Sequence, residues 1–250
     1  MSLLDKETLR CLGAGEGIAS LCEKLEIDRA KFDDRWQRTI ASRVPVSSGS
    51  IESDVRGQVE IQRDQWGIPH IYAKSDRDLF FGLGFAMAQD RLFQMDYLRR
   101  KGLGRLAEVL GSSSLEQDLV TRTVGLHRIA AAEWNRLTPD VQAVLEAFSA
   151  GVNRVIEQSA DKLPIEFDLL DYRPESWTPI DSLAIESEFR WYLTGRFPII
   201  VMPELAKRQL GDAALYREFM LGEADDESIS ATPVRSSPPA KARATTNGAI

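Results

Sequence analysis

The stretch from Val59 to Gly111 constrains the fold more than any other. It runs VEIQRDQWGIPHIYA, then a Ser75-opened segment containing FGLGFAMAQDRLFQMDYLRR, then KGLGRLAEVLG, without a break. Val59 and Ile61 alternate with Glu60 and Gln62, Gly67 punctuates a turn, and Ile68, Ile71 and Tyr72 follow in a second extended run. A period of two on either side of a glycine predicts a β-hairpin near 58–73. Pro69 has no N–H to give a ladder, which places its strand at an edge or makes Pro69 a strand start. Ser75 with Asp78 three residues on predicts a capping box and a helix to about Lys101. Gly82, Gly84, Ala86 and Ala88 thin that helix at a cost in helix propensity, so another element, from this chain or a partner, is expected to pack closely on it. Its second half carries Leu92, Phe93, Met95, Tyr97 and Leu98 toward a core, while Asp90, Arg91, Arg99 and Arg100 require partners wherever they are buried.

Outside this stretch the punctuation predicts more helices. Residues 1–50 carry an apolar pattern, Leu9, Leu12, Ile18, Leu21, Leu25, Ile27, Phe32 and Trp36, that suits short amphipathic helices in an N-terminal extension, and VPVSSGSIESD marks a linker. Thr138 caps and Pro139 opens a helix with a stripe from Val141 through Val144, Leu145, Phe148 and Val152 to Val155 and Ile156. LPIEFDLLDYRPESWTPID is too proline-interrupted for one helix, and Pro179 starts the next. FPIIVMP after Gly195 reads as non-helical, with helix resuming at Glu204. The 222–250 tail, rich in Ser, Thr, Ala and Pro, reads as a disordered spacer, leaving 51–221 as the main folded region.

Composition removes several function classes. A net charge of −7 without a basic run gives no clustered cationic face for phosphates. GIASLCEKLEIDRAKFDDRW could be read as a helix-turn-helix, but eight acidic and eight basic residues up to Arg43 leave no net positive charge for DNA. No apolar run approaches the roughly 20 residues needed to cross a bilayer, and MSLLDKETLR lacks the apolar core of a secretion signal, which predicts a cytoplasmic product. Cys11 and Cys22 are expected as free, buried thiols. His70 and His127 are the only histidines, and neither a Gly-x-Ser-x-Gly elbow nor a phosphate-binding glycine loop is present. A Ser-His-Asp hydrolase or a histidine-based metal site built from these residues is therefore disfavoured.

The order of hairpin, small-residue helix and Gly-punctuated turn resembles the start of the penicillin acylase family of N-terminal-nucleophile amide hydrolases, from about Val59 to about Leu210. Arg63, Asp64, Gly67, Pro69 and His70 match the family's R-D-x-x-G-x-P-H hairpin, and Gln89, Asp90 and Arg91 match its A-Q-D-R helix. Gly102, Gly104, Arg105, Ala107 and Glu108 match G-x-G-R-L-A-E, and Trp177, Pro179 and Asp181 match W-x-P-x-D. These positions are expected to be architectural. The resemblance implies an αββα fold in which this chain, mainly helical with one hairpin, is completed by a missing β chain. That β chain would carry an N-terminal Ser serving as nucleophile, with its own α-amino group as base; an ordinary pKa of about 7.7–8 leaves such an amine partly neutral at working pH. By the same resemblance, Arg196 and Phe197 match a pair that gates the acyl pocket, and Glu204 matches an α-chain carboxylate that joins β-chain oxygens around a structural calcium ion. Plainer roles stand beside these: a surface charge and a core aromatic for the pair, and a helix-N-terminal charge for Glu204. Two functional readings follow. One is the α portion of an enzyme cleaving an acyl group from a small-molecule amide such as a β-lactam or homoserine lactone, inactive by itself. The other is a non-catalytic helical binding protein that retains the scaffold.

Overall fold

The structure, a computed structural model, describes residues 2–53 and 55–221, the side chains of residues 196, 197, 199, 200 and 218–221 excepted. The 222–250 tail, read above as a disordered spacer, lies outside the described residues. The chain divides into two units between Thr194 and Gly195.

The first unit begins with three short helices, α1 (Lys6–Gly13), α2 (Ile18–Lys24) and α3 (Arg29–Ala41). Asp5 caps α1 by accepting from Thr8 N at 2.8 Å, and Asp28 caps α3 by accepting from Lys31 N at 2.8 Å. An irregular strap leads to strands β1 (Glu60–Arg63) and β2 (Pro69–Tyr72), paired antiparallel with Ile61 opposite Ile71 and Arg63 opposite Pro69. With only two strands in the sheet, Pro69 sits at the start of an edge, where its missing donor costs no interior ladder bond.

Helix α4 (Asp76–Leu103) follows, then α5 (Ala107–Leu110), α6 (Leu115–Val124), α7 (Leu126–Trp134), α8 (Pro139–Gln158), α9 (Ile165–Leu169) and α10 (Pro179–Leu193). The expected box at Ser75 forms by half. Ser75 Oγ accepts from Asp78 N at 3.2 Å, but the Asp78 carboxylate turns to the strap and accepts from Arg56 N at 2.9 Å. The reciprocal arrangement appears instead at α10, where the Asp181 carboxylate accepts from both Thr178 N and Thr178 Oγ1.

The small residues of α4 find their neighbours within this chain. A Cβ on Gly84 would lie 2.1 Å from Phe148 O, and one on Gly151 would lie 2.0 Å from Phe81 O, so α4 and α8 cross antiparallel at backbone contact. On other sides of α4, Gly82 admits Ile71 and Val59 of the hairpin, and Gly102 admits the Ala184 carbonyl of α10. Bulkier side chains fill the space between these close approaches. Ala88, Leu92 and Met95 of α4 share a core with Val152 and Val155 of α8 and with Leu163, Phe167 and Trp177. Ala130 of α7 packs with Leu183 and Ala184 of α10. The α8 stripe turns its later residues inward and leaves Val141 exposed at its start.

In the second unit, α11 (Arg196–Leu210) and α12 (Ala213–Leu221) follow Gly195. The FPIIVMP run expected to be non-helical is helical, which corrects the sequence expectation. Gly195 is the N-cap in the left-handed region (φ 73°), so Pro198 falls in the first turn, where the missing N–H has no intrahelical acceptor to lose. Only Pro203 removes a ladder donor.

Candidate functional site

The motif residues assemble into two polar clusters. In the first, Arg63 at the end of β1 donates to Asp90 Oδ2 (2.9 Å), Gln89 Oε1 (2.7 Å) and Gly67 O (3.0 Å), tying the hairpin to the middle of α4. Gln89 in turn donates to Val46 O of the strap at 2.7 Å. Directly after this clasp, at Arg91, α4 leaves helical geometry (φ −140°, ψ 24°), so the helix kinks where the hairpin grips it. At the hairpin tip the Asp64 carboxylate accepts from Trp66 N and Ile68 N and lies 3.4 Å from His70 Nε2. Burial would raise the Asp64 pKa, but these three hydrogen bonds outweigh it and hold the carboxyl below its ordinary value. His70 is thereby a turn-bracing residue.

The second cluster is buried where α4 meets the segment before α10. Asp96, 1% exposed, accepts from Arg99 Nε (2.7 Å), Arg100 Nε (2.9 Å) and Tyr172 Oη (2.8 Å). Arg99 also donates to the carbonyls of Glu175 (2.8 Å) and Ser176 (3.1 Å) and lies over the Trp177 ring at 5.2 Å. Arg100 reaches Glu108 at 3.0 Å and lies over the Tyr172 ring at 5.1 Å. Arg105 bridges Glu108 and Glu175, at 2.8 and 2.7 Å. Burial first, then the neighbouring Asp96, pushes the Tyr172 phenol well above its ordinary value, which keeps it a donor. Each carboxylate in the cluster is matched by an arginine. Such an arrangement locks elements together and leaves no free acid or base for chemistry.

Sequence reasoning named Arg99, Arg100, Arg105, Glu108, Trp177 and Asp181 but missed Asp96, Tyr172 and Glu175. Asp96 was findable in principle. It lies three and four residues before Arg99 and Arg100, on one helical face, the spacing at which one carboxylate can pair with two bases. The following turn depends on a further acid: Asp118 of α6 accepts from Leu106 N (2.9 Å) and Ala107 N (2.7 Å), satisfying the opening donors of α5.

The Arg105 hydrogen bonds hold Glu108 and Glu175 below the ordinary carboxylate range, and the Arg56 backbone N–H does the same for Asp78. A depressed folded-state pKa contributes stability that is present above the unfolded value of about 4 and is lost as pH falls through the folded value. Thermal melting temperature is therefore expected to drop below about pH 4, and Glu175→Gln should flatten that acid limb. An unchanged acid limb in Glu175→Gln would count against the assignment.

Arg196 and Phe197 occupy the first turn of α11, directly after Gly195, and Glu204 follows seven residues after Phe197. Glu204 is half-exposed and accepts from Arg208 Nε at 3.1 Å. It lies within the helix and not at a helix start as expected, because α11 begins at Arg196; the helix-N-terminal role for its charge is thereby removed. Among the described residues no three His, Cys, Asp or Glu side chains converge as metal ligands. Cys11 and Cys22 are free and half-buried. A groove of about 750 Å3 lies between the strap, β1, α4 and α8, with Val46, Ile61, Phe81, Phe85 and Leu92 among its walls.

The motifs are thus assembled around one hairpin and one kinked helix, and comparison with known proteins gives that assembly a family. The family model for penicillin amidase matches residues 58–232. The chain belongs to the penicillin amidase family. Curated relatives include a penicillin acylase 2 proenzyme from Pseudomonas sp. (strain SE83), 41% identical over 150 residues, which are 60% of this chain and 19% of the relative. The acyl-homoserine lactone acylase QuiP of Pseudomonas aeruginosa is 37% identical over 157 residues, 62% of this chain and 18% of the relative. The chain thus spans about a fifth of the length of these curated relatives. Among solved structures, a thermostable penicillin G acylase from Alcaligenes faecalis superposes with a TM-score of 0.58 at 28% identity, covering 70% of this chain and 97% of that chain. The mostly helical penicillin amidase region found here, with its small antiparallel sheet, therefore has a structural neighbour in the same family. No helix among the described residues is long and apolar enough to cross a membrane.

Proposed function

We propose that this chain is the α portion of a penicillin-acylase-like amide hydrolase, and that its nucleophile lies outside these 250 residues, on a β chain beginning with serine. One observation carries the reading. The chain matches nearly the whole of one solved acylase chain but only about a fifth of the curated relatives, and the motif residues it contributes are engaged in structural bonds. Such a portion supplies scaffold, and the chemistry comes from its companion. The substrate class is a linear amide joining an acyl group to a small amine, a β-lactam nucleus or a homoserine lactone being the chemistries that the relatives' names suggest. In this reading the β chain's hydroxyl attacks the amide carbonyl while its α-amino group takes the proton; that proton passes to the departing amine as the C–N bond breaks and an acyl ester forms, and water then cleaves the ester to release the acid and restore the hydroxyl.

The same reading assigns the partner's place and the roles of α11. The two unpaired strand edges of the hairpin would extend into the β chain's sheet, completing an αββα sandwich. Arg196 and Phe197 would border the acyl pocket. Glu204 would give one carboxylate to a shared calcium ion, whose six to eight oxygen ligands must come mostly from the β chain. The test is hydrolysis of a chromogenic phenylacetyl or acyl amide by residues 1–250 alone and after co-expression with a complementary β chain. Activity is expected only with both, along with bound calcium that Glu204→Ala removes. Turnover by residues 1–250 alone would overturn the proposal. Absence of activity with any family β chain that binds would favour the non-catalytic binding protein.

A further inference from the structure

We propose that residues 2–43 form a docking module whose partner is the α9 corner of the same chain, held there by its own interface and not by the strap that tethers it. The module lies wholly before residue 58, where the family match begins. It has its own core, with Leu4, Leu9, Leu21 and Phe32 buried together, and its N-terminal segment is fastened to α3 by Leu4 N donating to Thr39 Oγ1 at 3.0 Å. Its helices carry their own caps at Asp5 and Asp28. These features are those of a small folded unit with local punctuation.

Its contact with the corner is built at three points. Ile165 and Leu169 of α9 pack into the module's core, so the apolar face of α9 is covered by α1. Gly13, the last residue of α1, lies so near the corner that a Cβ there would be 1.7 Å from Leu169 O, a distance open to no other residue without a backbone shift. Arg43, just past α3, donates to Asp168 Oδ2 at 2.6 Å and to Leu163 O at 2.9 Å, with both charged side chains largely buried. Apolar burial, a backbone approach that only glycine permits, and a buried charge-assisted pair at the edge are the parts of a specific interface.

The strap contributes little to that contact. Residues 44–53 have no regular structure and the Val44 side chain is largely exposed; the strap's own bond, Gln89 Nε2 to Val46 O at 2.7 Å, goes to α4 and not to the corner. A flexible tether raises the effective concentration of the module, and cutting it exposes the affinity of the interface itself.

The experiment places a specific protease site between Pro45 and Val46 of the full chain, so that Val46 and its bond to Gln89 stay with the larger piece, cleaves the folded protein, and follows both pieces by size-exclusion chromatography at micromolar concentration. The two pieces are expected to elute together. Arg43→Gln, which leaves Asp168 buried without its partner, is expected to weaken retention by about 30-fold or more, and Gly13→Leu should send the module to a separate peak. Separation of the nicked unsubstituted protein would overturn the proposal. So would nicked Arg43→Gln retaining its module within two-fold of the parent, a readout that holds even if Gly13→Leu fails to fold.

Discussion

Asp96→Ala is expected to destabilise the first unit by about 3–5 kcal/mol, measured as a lowered melting temperature and denaturation midpoint relative to the parent chain. Two guanidinium groups converge on this one carboxylate, and Arg99 and Arg100 are themselves almost fully buried, so its removal strands charge in the interior. The cost does not come from losing a favourable attraction alone. Desolvation of the arginines has already been incurred on folding, and without Asp96 only Glu108 beside Arg100 and Asp181, 3.5 Å from Arg99, remain as charges to offset it. Tyr172 loses its acceptor as well. Asp96→Asn keeps the shape and one acceptor oxygen and should fall between the two. A surface pair gives the contrast: Arg29→Ala, which removes the exposed Arg29–Asp33 bridge, should change stability by no more than about 0.5 kcal/mol. Equal effects from the two alanine variants would refute the account.

The second large effect is expected at the α4–α8 crossing. Gly84→Ala and Gly151→Ala should each cost about 3 kcal/mol, although alanine is the better helix former by about 1 kcal/mol. Each new methyl would meet a backbone carbonyl, Phe148 O or Phe81 O, and not the tip of a movable side chain, so relief requires the two helices to separate along their length. Separation loosens the contacts of Leu92, Val152 and Val155 in the same core. Gly57→Ala is the control: a Cβ there meets only Asp78 Oδ2, at 3.6 Å, and its effect should stay within about 0.5 kcal/mol. Gly84→Ala melting at the parent temperature would show that the helices are not held at backbone contact.

Local patterns were legible where the chain's own neighbours decide the outcome. The hairpin follows from alternation around Gly67, and the α8 start follows from Pro139 at the first helical position, since both depend on residues a few positions away, although Thr138 before Pro139 makes no side-chain cap bond. The misreading of FPIIVMP arose because two prolines were weighed alike, whereas their cost depends on where the helix begins. Gly195 sets that origin. The site was legible as motifs but not as partners. Nothing in the sequence pairs Arg63 with Asp90 over the alternatives on α4, or Asp96 with Tyr172, 76 residues away.

By itself the sequence determined the family, the helix-rich character, the hairpin and the need for a close neighbour along the glycine face of α4. Tertiary structure alone decided that the neighbours are α8, α10 and the hairpin, that α1 covers α9, and that the polar motifs are spent on holding elements together. The physical reason is one of range. Propensity, caps and alternation act over a few residues, whereas burial of Asp96 and backbone contact at Gly84 exist only once segments distant in sequence have met.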